Sequence, residues 1–203
     1  MCKSTTKIII IDDDSRIQKS TPWIVELSDE FPNIDISHDP NEAIEIIKSH
    51  LDENMIVILD LGFSNKMIDG HEILNRIRDL SFLIPVIIWS GKDEDKEKFA
   101  DLIKNRAYIF LKKSASNTDL VNAVENAYNS MKNDISYAIE EWIKQHPKDV
   151  ADKPFMITSR GKRYSLYDIL KEIRLQTDFG KDIERKINKL TIDLLMRNKE
   201  SLE

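Results

Sequence analysis

Five short apolar runs, each ending at a polar or charged residue, alternate with segments of helical periodicity. The runs cover Lys7–Ile11, Asn33–His38, Met55–Leu59, Val86–Trp89 and Ala107–Leu111. Strands that alternate with single helices require right-handed β-α-β crossovers, and these build a parallel sheet with helices on both faces. The alternation therefore predicts an α/β fold with a doubly wound, five-stranded parallel sheet.

The intervening segments carry the periodicity and the start residues of helices. Apolar residues at every third or fourth position indicate helices at about Arg16–Glu30, Glu72–Leu80 and Asp93–Lys104. Asp39, followed by proline and an acidic first turn, opens a further helix as its capping residue. Another helix begins near Asn117.

Polar side chains stand directly after four of the five strands. They are Asp12 and Asp13 after the first strand, Asp60 after the third, Ser90 after the fourth and Lys113 after the fifth. Parallel sheets of this kind place their sites outside the carboxyl ends of the strands. We therefore expect three carboxylates, a hydroxyl and an ammonium group to converge at one edge of the sheet.

The chemistry of such a cluster follows from its charge. Packed carboxylates repel one another unless they are protonated, paired or bound to a cation. Mg²⁺ suits them because it prefers a few carboxylates, waters and a phosphate oxygen. One carboxylate can then attack a phosphoryl group, which the lysine and the hydroxyl hold. The alternative, that strand-end aspartates only terminate strands and cap helices, fits any single residue well but the whole set poorly.

At these residues the chain resembles a response-regulator receiver domain of two-component signalling, the CheY-like class, over about residues 5–132. The resemblance rests on five motifs: Ile8–Asp14, Val57–Leu61, Asp69-Gly70, Pro85–Gly91 and Phe110–Lys113. It implies the flavodoxin-like receiver fold. It also implies a role for each of several residues: Asp60 as phosphoacceptor; Asp12, Asp13, Asp60 and the backbone carbonyl of Gly62 as Mg²⁺ ligands; Ser90 and Lys113 as phosphoryl contacts; Ser90 and Phe110 as the switch pair.

The chain departs from the family pattern at two places. The segment Leu61–Ile68 lacks the usual proline and is about two residues longer than usual, and Ser114 replaces the proline that commonly follows the lysine. Of the two adjacent lysines, Lys113 is preferred because it keeps Phe110 in the aromatic position. None of these departures removes a chemical group from the site.

Composition excludes several classes of protein. No apolar run approaches the roughly 20 residues that a membrane-spanning helix needs, the N-terminus has no secretory signal pattern, and the single cysteine, Cys2, allows no internal disulfide. We therefore expect a cytoplasmic protein with no membrane partner. Residues 1–147 carry 17 Lys and Arg against 26 Asp and Glu, whereas residues 148–203 carry 13 against 10. The acidic part argues against non-specific nucleic-acid binding there.

The helical pattern that begins at Asn117 continues without glycine or proline until Pro147. Its apolar residues follow a 4,3,4,4,3,4 spacing, which predicts one long fifth helix of nearly thirty residues, about 45 Å in length. The distal half would need another partner, either the C-terminal tail or the same helix of a second subunit in a homodimer.

The remaining residues predict a small appended module of no recognised family. Residues 155–164 indicate a hairpin that turns at Gly161. Ser165 and Asp168 resemble a capping box that starts a first helix, and a second helix follows from about Lys181 to Arg197, with Ile183, Ile187, Leu190, Leu194 and Leu195 facing inward. The predicted domains are 1–132, a receiver; 133–154, an extended helix and linker; and 155–203, a small α+β or mostly helical effector module.

Taken together, these features favour a response regulator of a phosphorelay over an enzyme, since no nucleotide-binding glycine loop, catalytic triad or zinc spacing occurs in the tail. The expected partners are a sensor histidine kinase or phosphotransfer protein and a downstream protein, with output by protein–protein contact or dimerisation. Two alternatives stay open: a DNA-binding transcription regulator, and a constitutive scaffold that never accepts phosphate.

Overall fold

The computed structural model describes residues 3–51, 53–63, 68–91, 94–132, 134–159 and 161–197. Side chains are not described for residues 149 and 151. The chain divides into two compact units, Met1–Asp134 and Ile135–Glu203.

A five-stranded parallel sheet forms the centre of the first unit. Its strands are β1 Lys7–Ile11, β2 Ile34–Ser37, β3 Met55–Leu59, β4 Val86–Ser90 and β5 Ile109–Lys112. They lie in the order β2-β1-β3-β4-β5, and every neighbouring pair is parallel. The predicted α/β class and doubly wound topology are thus confirmed.

Five α-helices cover the two faces of this sheet: α1 Pro22–Ser28, α2 Pro40–Ser49, α3 Gly70–Leu80, α4 Lys96–Lys104 and α5 Asn117–Met131. Helices α2, α3 and α4 contribute to the core on one face, and α1 and α5 contribute to the core on the other. In β1, Ile9 and Ile11 join the first core while Ile8 and Ile10 join the second. Burial on both faces explains why the strand is a continuous apolar run rather than an alternating one.

The first helix is shorter than predicted. It begins at Pro22 rather than near Arg16. Proline is favoured in the first turn of a helix because it has no N–H to satisfy, and it biases the preceding residue towards extended backbone. Thr21 is accordingly extended, at φ −63° and ψ 130°. Strands β1 and β3 agree with prediction at both ends, and the other strand boundaries and the starts of the other helices differ by at most three residues. The predicted helix start at Asp93 lies outside the described residues.

The prediction of one long fifth helix is wrong. Helix α5 ends at Met131, and a separate helix, α6, covers Ile135–Gln145. A turn closes between them, where the Asp134 N–H donates to the carbonyl oxygen of Met131 at 3.0 Å. The sequence here is Asn133-Asp134, and both residue types favour helix ends because their side chains compete for backbone hydrogen bonds. Most of the segment predicted as an extended helix and linker, residues 133–154, therefore belongs to the second unit, which begins at Ile135.

The second unit contains α6, α7 Lys148–Ala151, strands β6 Met156–Ile157 and β7 Arg163–Tyr164, α8 Leu166–Arg174 and α9 Asp178–Arg197. The strands form the predicted hairpin, and Gly161 has a φ of +77° in its turn. Ser165 and Asp168 form the predicted capping box at the start of α8.

The core of the second unit is small. Ile143 of α6 packs with Leu170 of α8, and the buried Arg174 guanidinium donates to the Glu140 carboxylate between the same two helices. At the start of α9, the ring of Phe179 stacks on that of Tyr164, with centroids 4.3 Å apart.

Helix α9 differs from prediction in two respects. It begins at Asp178, so Gly180 lies inside it. A Cβ on Gly180 would stand 2.1 Å from the Glu172 carbonyl oxygen, so this glycine allows α9 to approach α8 closely and does not interrupt the helix. Of the residues predicted to face inward, Ile183 is buried, but Leu190, Leu194 and Leu195 are exposed.

Candidate functional site

The polar residues that follow the strands meet because neighbouring strands end in register. Ile11 is paired with Leu59, and the Asp60 N–H donates to the Ile11 carbonyl oxygen at 2.9 Å. The pairing brings Asp12 and Asp60 side by side at the carboxyl edge. The N–H of Lys113 donates to the Ser90 carbonyl oxygen at 2.9 Å, which fixes the end of β5 against the end of β4.

Three carboxylates form a cluster at this edge. Asp12, Asp13 and Asp60 each offer an oxygen atom, and these atoms lie within 4.8 Å of one another. Asp12 is only 2% exposed and Asp60 only 6%. Burial raises the pKa of Asp12 and the charge of Asp60 adds to the rise, while hydrogen bonds from Lys113 and from the Asp14 N–H oppose it. Two of the three carboxylates, those of Asp12 and Asp60, are therefore largely shielded from solvent.

Lys113 lies between two of these carboxylates. Its Nζ donates to Oδ2 of Asp12 and to Oδ2 of Asp60, each at 2.7 Å. Burial by itself would lower the pKa of Lys113, but the hydrogen bonds to the two carboxylates outweigh burial and leave the pKa raised. The structure therefore brings together Asp12, Asp13, Asp60 and Lys113.

The cluster fits a hard divalent cation. Its donors are carboxylate oxygens, which Mg²⁺ prefers, and the three aspartates leave coordination positions for water or a phosphate oxygen. Asp13, the most exposed of the three, gives the cluster an open side.

Gly62 and Gly70 position the segment after Asp60. The N–H of Gly62 donates to Oδ1 of Asp60 at 3.0 Å. This contact uses the amide of Gly62, whereas the family resemblance assigns its carbonyl oxygen to Mg²⁺. A Cβ on Gly70 would lie 2.4 Å from the Cα of Leu61 and 2.6 Å from the Asp60 carbonyl oxygen. Glycine at position 70 therefore lets the first turn of α3 rest against the end of β3. Much of the unusual loop, residues 64–67, lies outside the described residues.

Ser90 and Phe110 lie on β4 and β5, so Ser90 belongs to the strand that it was predicted to follow. Ser90 is the last residue of β4 and is fully buried. Phe110 of β5 is partly buried, and its ring meets that of Phe99 in α4 edge-on, with centroids 6.0 Å apart. Among the described residues, no atom lies within 4 Å of a Cβ placed on Gly91, the residue that follows Ser90.

His38 is a site neighbour that sequence reasoning missed. Its Nδ1 lies 2.7 Å from the carbonyl oxygen of Asp12, and because a carbonyl only accepts, Nδ1 carries the proton in this contact. No motif and no metal-ligand spacing in the sequence includes His38. The sequence signal that could have identified His38 is its position directly after β2, because β2 lies next to β1 in the sheet.

Comparisons with known proteins agree with this geometry. The family profile described as "Response regulator receiver domain" matches residues 8–125. A response regulator receiver domain protein from Clostridium thermocellum is 26% identical, with a TM-score of 0.54, and the match covers 63% of this chain and 97% of that one. The receiver domain of NtrX from Brucella abortus is also 26% identical, with a TM-score of 0.51 and coverage of 60% and 97%.

A third similar structure contains BeF3 and Mg²⁺. The CheX-CheY-BeF3-Mg complex from Borrelia burgdorferi matches at 22% identity and a TM-score of 0.51, covering 61% of this chain and 89% of that one. At this identity the likeness concerns the fold alone. No curated protein matches the chain.

Among the described residues, no helix is both long enough and apolar enough to cross a membrane. The family profile covers more than half of the chain and all of the residues that form the cluster. With its five-stranded parallel sheet and its three aspartates beside Lys113, the chain belongs to the response regulator receiver domain family of two-component systems.

Proposed function

We propose that this chain is a response regulator that accepts a phosphoryl group on Asp60 in a Mg²⁺-dependent reaction. The observation that carries the proposal is the position of Lys113, whose ammonium group bonds Asp60 and Asp12 at the same time. A lysine so placed neutralises the nucleophile's surroundings before transfer and lies within reach of phosphoryl oxygens after it.

In the proposed reaction, an oxygen of the Asp60 carboxylate attacks the phosphorus atom of the donor. The new bond joins this oxygen to phosphorus, and the bond from phosphorus to the donor's phosphohistidine nitrogen breaks, with its electron pair returning to the imidazole. Asp12, Asp13, Asp60 and the carbonyl of Gly62 would hold Mg²⁺. When bound, the ion supplies positive charge that offsets the negative charge of the carboxylates and the phosphoryl group.

Lys113 exchanges partners in this scheme. Before transfer it bonds to carboxylate oxygens of Asp12 and Asp60, and after transfer it donates to an oxygen of the phosphoryl group. Ser90 would move its hydroxyl towards the same group, next to Gly91. Phe110 would then change its packing against Phe99 of α4, because the two rings are in edge-on contact.

Receiver domains interact with histidine kinases or phosphotransfer proteins, and we assign such a donor to this chain. We assign output to a protein–protein contact or dimerisation that involves the second unit. Charge supports this output over DNA binding, since Arg185 and Lys186 of α9 both pair with Asp182 of the same helix. Absence of DNA-fragment binding at low salt would exclude the DNA-binding alternative.

Intact-mass spectrometry tests the proposal. The protein is incubated with acetyl phosphate and excess Mg²⁺, and Asp60→Asn serves as the control. We expect one phosphoryl group on the wild-type chain, none on the variant, and none on the wild-type chain when a chelator removes Mg²⁺. A folded wild-type protein that takes up no phosphoryl group would instead favour the constitutive scaffold.

A further inference from the structure

The backbone ladder between β1 and β2 reaches its end at Asp12. The bonds of a parallel ladder are evenly spaced. Along β1 the Ile8 N–H donates to the Asn33 carbonyl oxygen at 2.9 Å, and four residues further on the Asp12 N–H donates to the Ser37 carbonyl oxygen at 3.2 Å. In this register the next donor, towards the Asp12 carbonyl oxygen, would be the N–H of Asp39. That N–H donates to Oγ of Ser37 at 3.3 Å.

The start of α2 explains why the backbone leaves the ladder here. Asp39 caps α2 by accepting from two N–H groups of its first turn, and Pro40 is the first helical residue. The chain therefore turns out of the sheet directly after Ser37, the last residue of β2. At this point the imidazole of His38 contacts the Asp12 carbonyl oxygen, with its Nδ1 at 2.7 Å. A side chain thus supplies the donor that the ladder would have taken from the backbone.

We propose that His38 is a positioning residue for Mg²⁺ and acts through the peptide group between Asp12 and Asp13. The carbonyl that His38 contacts belongs to this planar group. Its orientation sets the direction in which the backbone of Asp13 continues, and therefore the direction of the Asp13 carboxylate. The inference rests on the proposed function, because it concerns the ion that the proposed reaction needs.

Asp13 is the carboxylate of the cluster that depends most on its backbone. Asp12 and Asp60 are 2% and 6% exposed, and both accept from Nζ of Lys113 at 2.7 Å. Asp13 is only partly buried, so packing constrains its side chain less. The backbone before it is held at the Asp12 N–H by Ser37 and at the Asp12 carbonyl by His38.

Mg²⁺ is sensitive to small displacements of its ligands. The ion demands near-ideal octahedral geometry, with oxygen ligands at about 2.0–2.1 Å. Hydrogen bonds that orient the ligands of a metal commonly contribute ten- to hundredfold in affinity. His38 acts on a ligand through a peptide group, so the lower end of this range applies, about tenfold.

Isothermal titration calorimetry of the full chain with Mg²⁺ measures the effect. His38→Leu removes the donor and keeps a side chain of substantial size, and we expect it to raise the Kd for Mg²⁺ about tenfold. His38→Asn should return the Kd to within about threefold of wild type, because its amide nitrogen is bonded to Cγ, as Nδ1 is, and can donate from the same position. Circular dichroism checks that each variant folds, and His38→Ala, which adds no bulk, replaces a leucine variant that does not.

His50→Leu is the matched control. Nδ1 of His50 lies 2.8 Å from the carbonyl oxygen of Ile46, so this variant loses a contact of the same kind. His50 follows the C-terminal end of α2, a helix of about 15 Å that begins at the carboxyl edge of the sheet. Both leucine variants are expected to lower the free energy of unfolding, but only His38→Leu should change the Kd for Mg²⁺.

Phosphoryl uptake from acetyl phosphate gives a second measurement. In His38→Leu the half-saturating Mg²⁺ concentration should rise by the same factor as the Kd, whereas the rate at saturating Mg²⁺ should stay within about twofold of wild type. A loss of rate at saturating Mg²⁺ with no change in the half-saturating concentration would contradict a positioning role.

A wild-type Kd in a folded His38→Leu chain, or a His38→Asn chain that binds Mg²⁺ no better than His38→Leu, would overturn the inference. Asp13→Asn shows whether the ion occupies the carboxylate cluster. If the wild type binds Mg²⁺ more tightly than Asp13→Asn does, the proposed site stands even where the His38 variants bind like the wild type. A wild-type chain that binds no Mg²⁺ would contradict the proposed function and the inference together.

Discussion

At the scale of single residues, the electrostatics of the site depends on Lys113. Asp12 and Asp60 are almost completely buried, and two buried carboxylates side by side destabilise a fold unless a cation compensates them. Lys113 supplies that cation through hydrogen bonds of 2.7 Å to each. The same lysine is therefore expected to stabilise the unphosphorylated fold and to bind the phosphoryl group.

Replacing Lys113 with alanine should lower the free energy of unfolding at pH 7 by about 1–3 kcal/mol, because it leaves Asp12 and Asp60 without their shared partner. Urea denaturation without Mg²⁺ measures this change. Lys112→Ala is the control, since Lys112 is exposed and should change stability little. Equal losses in the two variants would contradict the assigned role of Lys113.

The raised pKa of Asp12 predicts how stability depends on pH. In the unfolded chain Asp12 loses its proton near its ordinary pKa of 3.8, whereas the folded protein holds the proton to higher pH. The folded state then binds more protons, so this residue's contribution to stability falls as pH rises from about 3.8 through the raised pKa. The wild type should lose stability relative to Asp12→Asn over this window in denaturant titrations without Mg²⁺. A stability difference that does not change with pH would exclude this account.

How far the site could be predicted differs from residue to residue. Asp12, Asp60 and Lys113 could be placed together from sequence because the ends of parallel strands meet at one edge whatever the loops do. The contact from His38 to the Asp12 carbonyl and the bond from the Gly62 amide to Asp60 could not be predicted. Both depend on the backbone path after a strand, which no periodicity in the sequence reports.

At the scale of secondary-structure elements, the position of α3 against β3 depends on Gly70. Replacing Gly70 with alanine should lower the free energy of unfolding by about 1–3 kcal/mol, because the new Cβ meets backbone atoms of Asp60 and Leu61 that cannot move without shifting the site. Thermal denaturation measures the loss. Gly91→Ala is the matched control, since its new Cβ has no atom of the described residues within 4 Å. If Gly70→Ala were as stable as Gly91→Ala, the close approach would be wrong.

Secondary-structure elements were predicted well where burial on both faces determines them. They were predicted poorly where local hydrogen bonding ends a helix, or where the pattern does not show which neighbour covers an apolar face. Strands Lys7–Ile11 and Met55–Leu59 agree with prediction at both ends because both of their faces are buried. The apolar period continues in phase from Met131 to Ile135, so periodicity could not reveal that α5 ends at the first of these residues and α6 begins at the second. The amphipathic pattern of α9 correctly marks an apolar face, but a pattern cannot say whether anything within the unit covers that face.

At the scale of the whole molecule, the two units carry different parts of the proposed function. The first unit contains the residues that match the receiver family and the carboxylate cluster. The second has its own small core around Ile143 and Leu170 and a partly buried ion pair between Glu140 and Arg174. The site chemistry therefore belongs to the first unit, and the proposed output belongs to the second.

Mg²⁺ should stabilise the folded chain by mass action, because the ion binds the folded cluster and not the separated aspartates of the unfolded chain. At a concentration one hundred times the Kd, the gain is about 2.7 kcal/mol. Calorimetry with and without Mg²⁺ should show a raised unfolding temperature for the wild type and almost none of this rise for Asp13→Asn. An equal rise in the variant would show that the ion binds elsewhere.

The central claim is that Asp60, among all the carboxylates of the chain, accepts the phosphoryl group. Reductive trapping tests it most directly: the phosphorylated protein is treated with borohydride, which reduces an acyl phosphate to the alcohol, and the digested peptides are sequenced by mass spectrometry. The account predicts a single reduced residue at position 60, with Asp12 and Asp13 unchanged. Reduction at another residue, or none in a protein that carries phosphate, would contradict it.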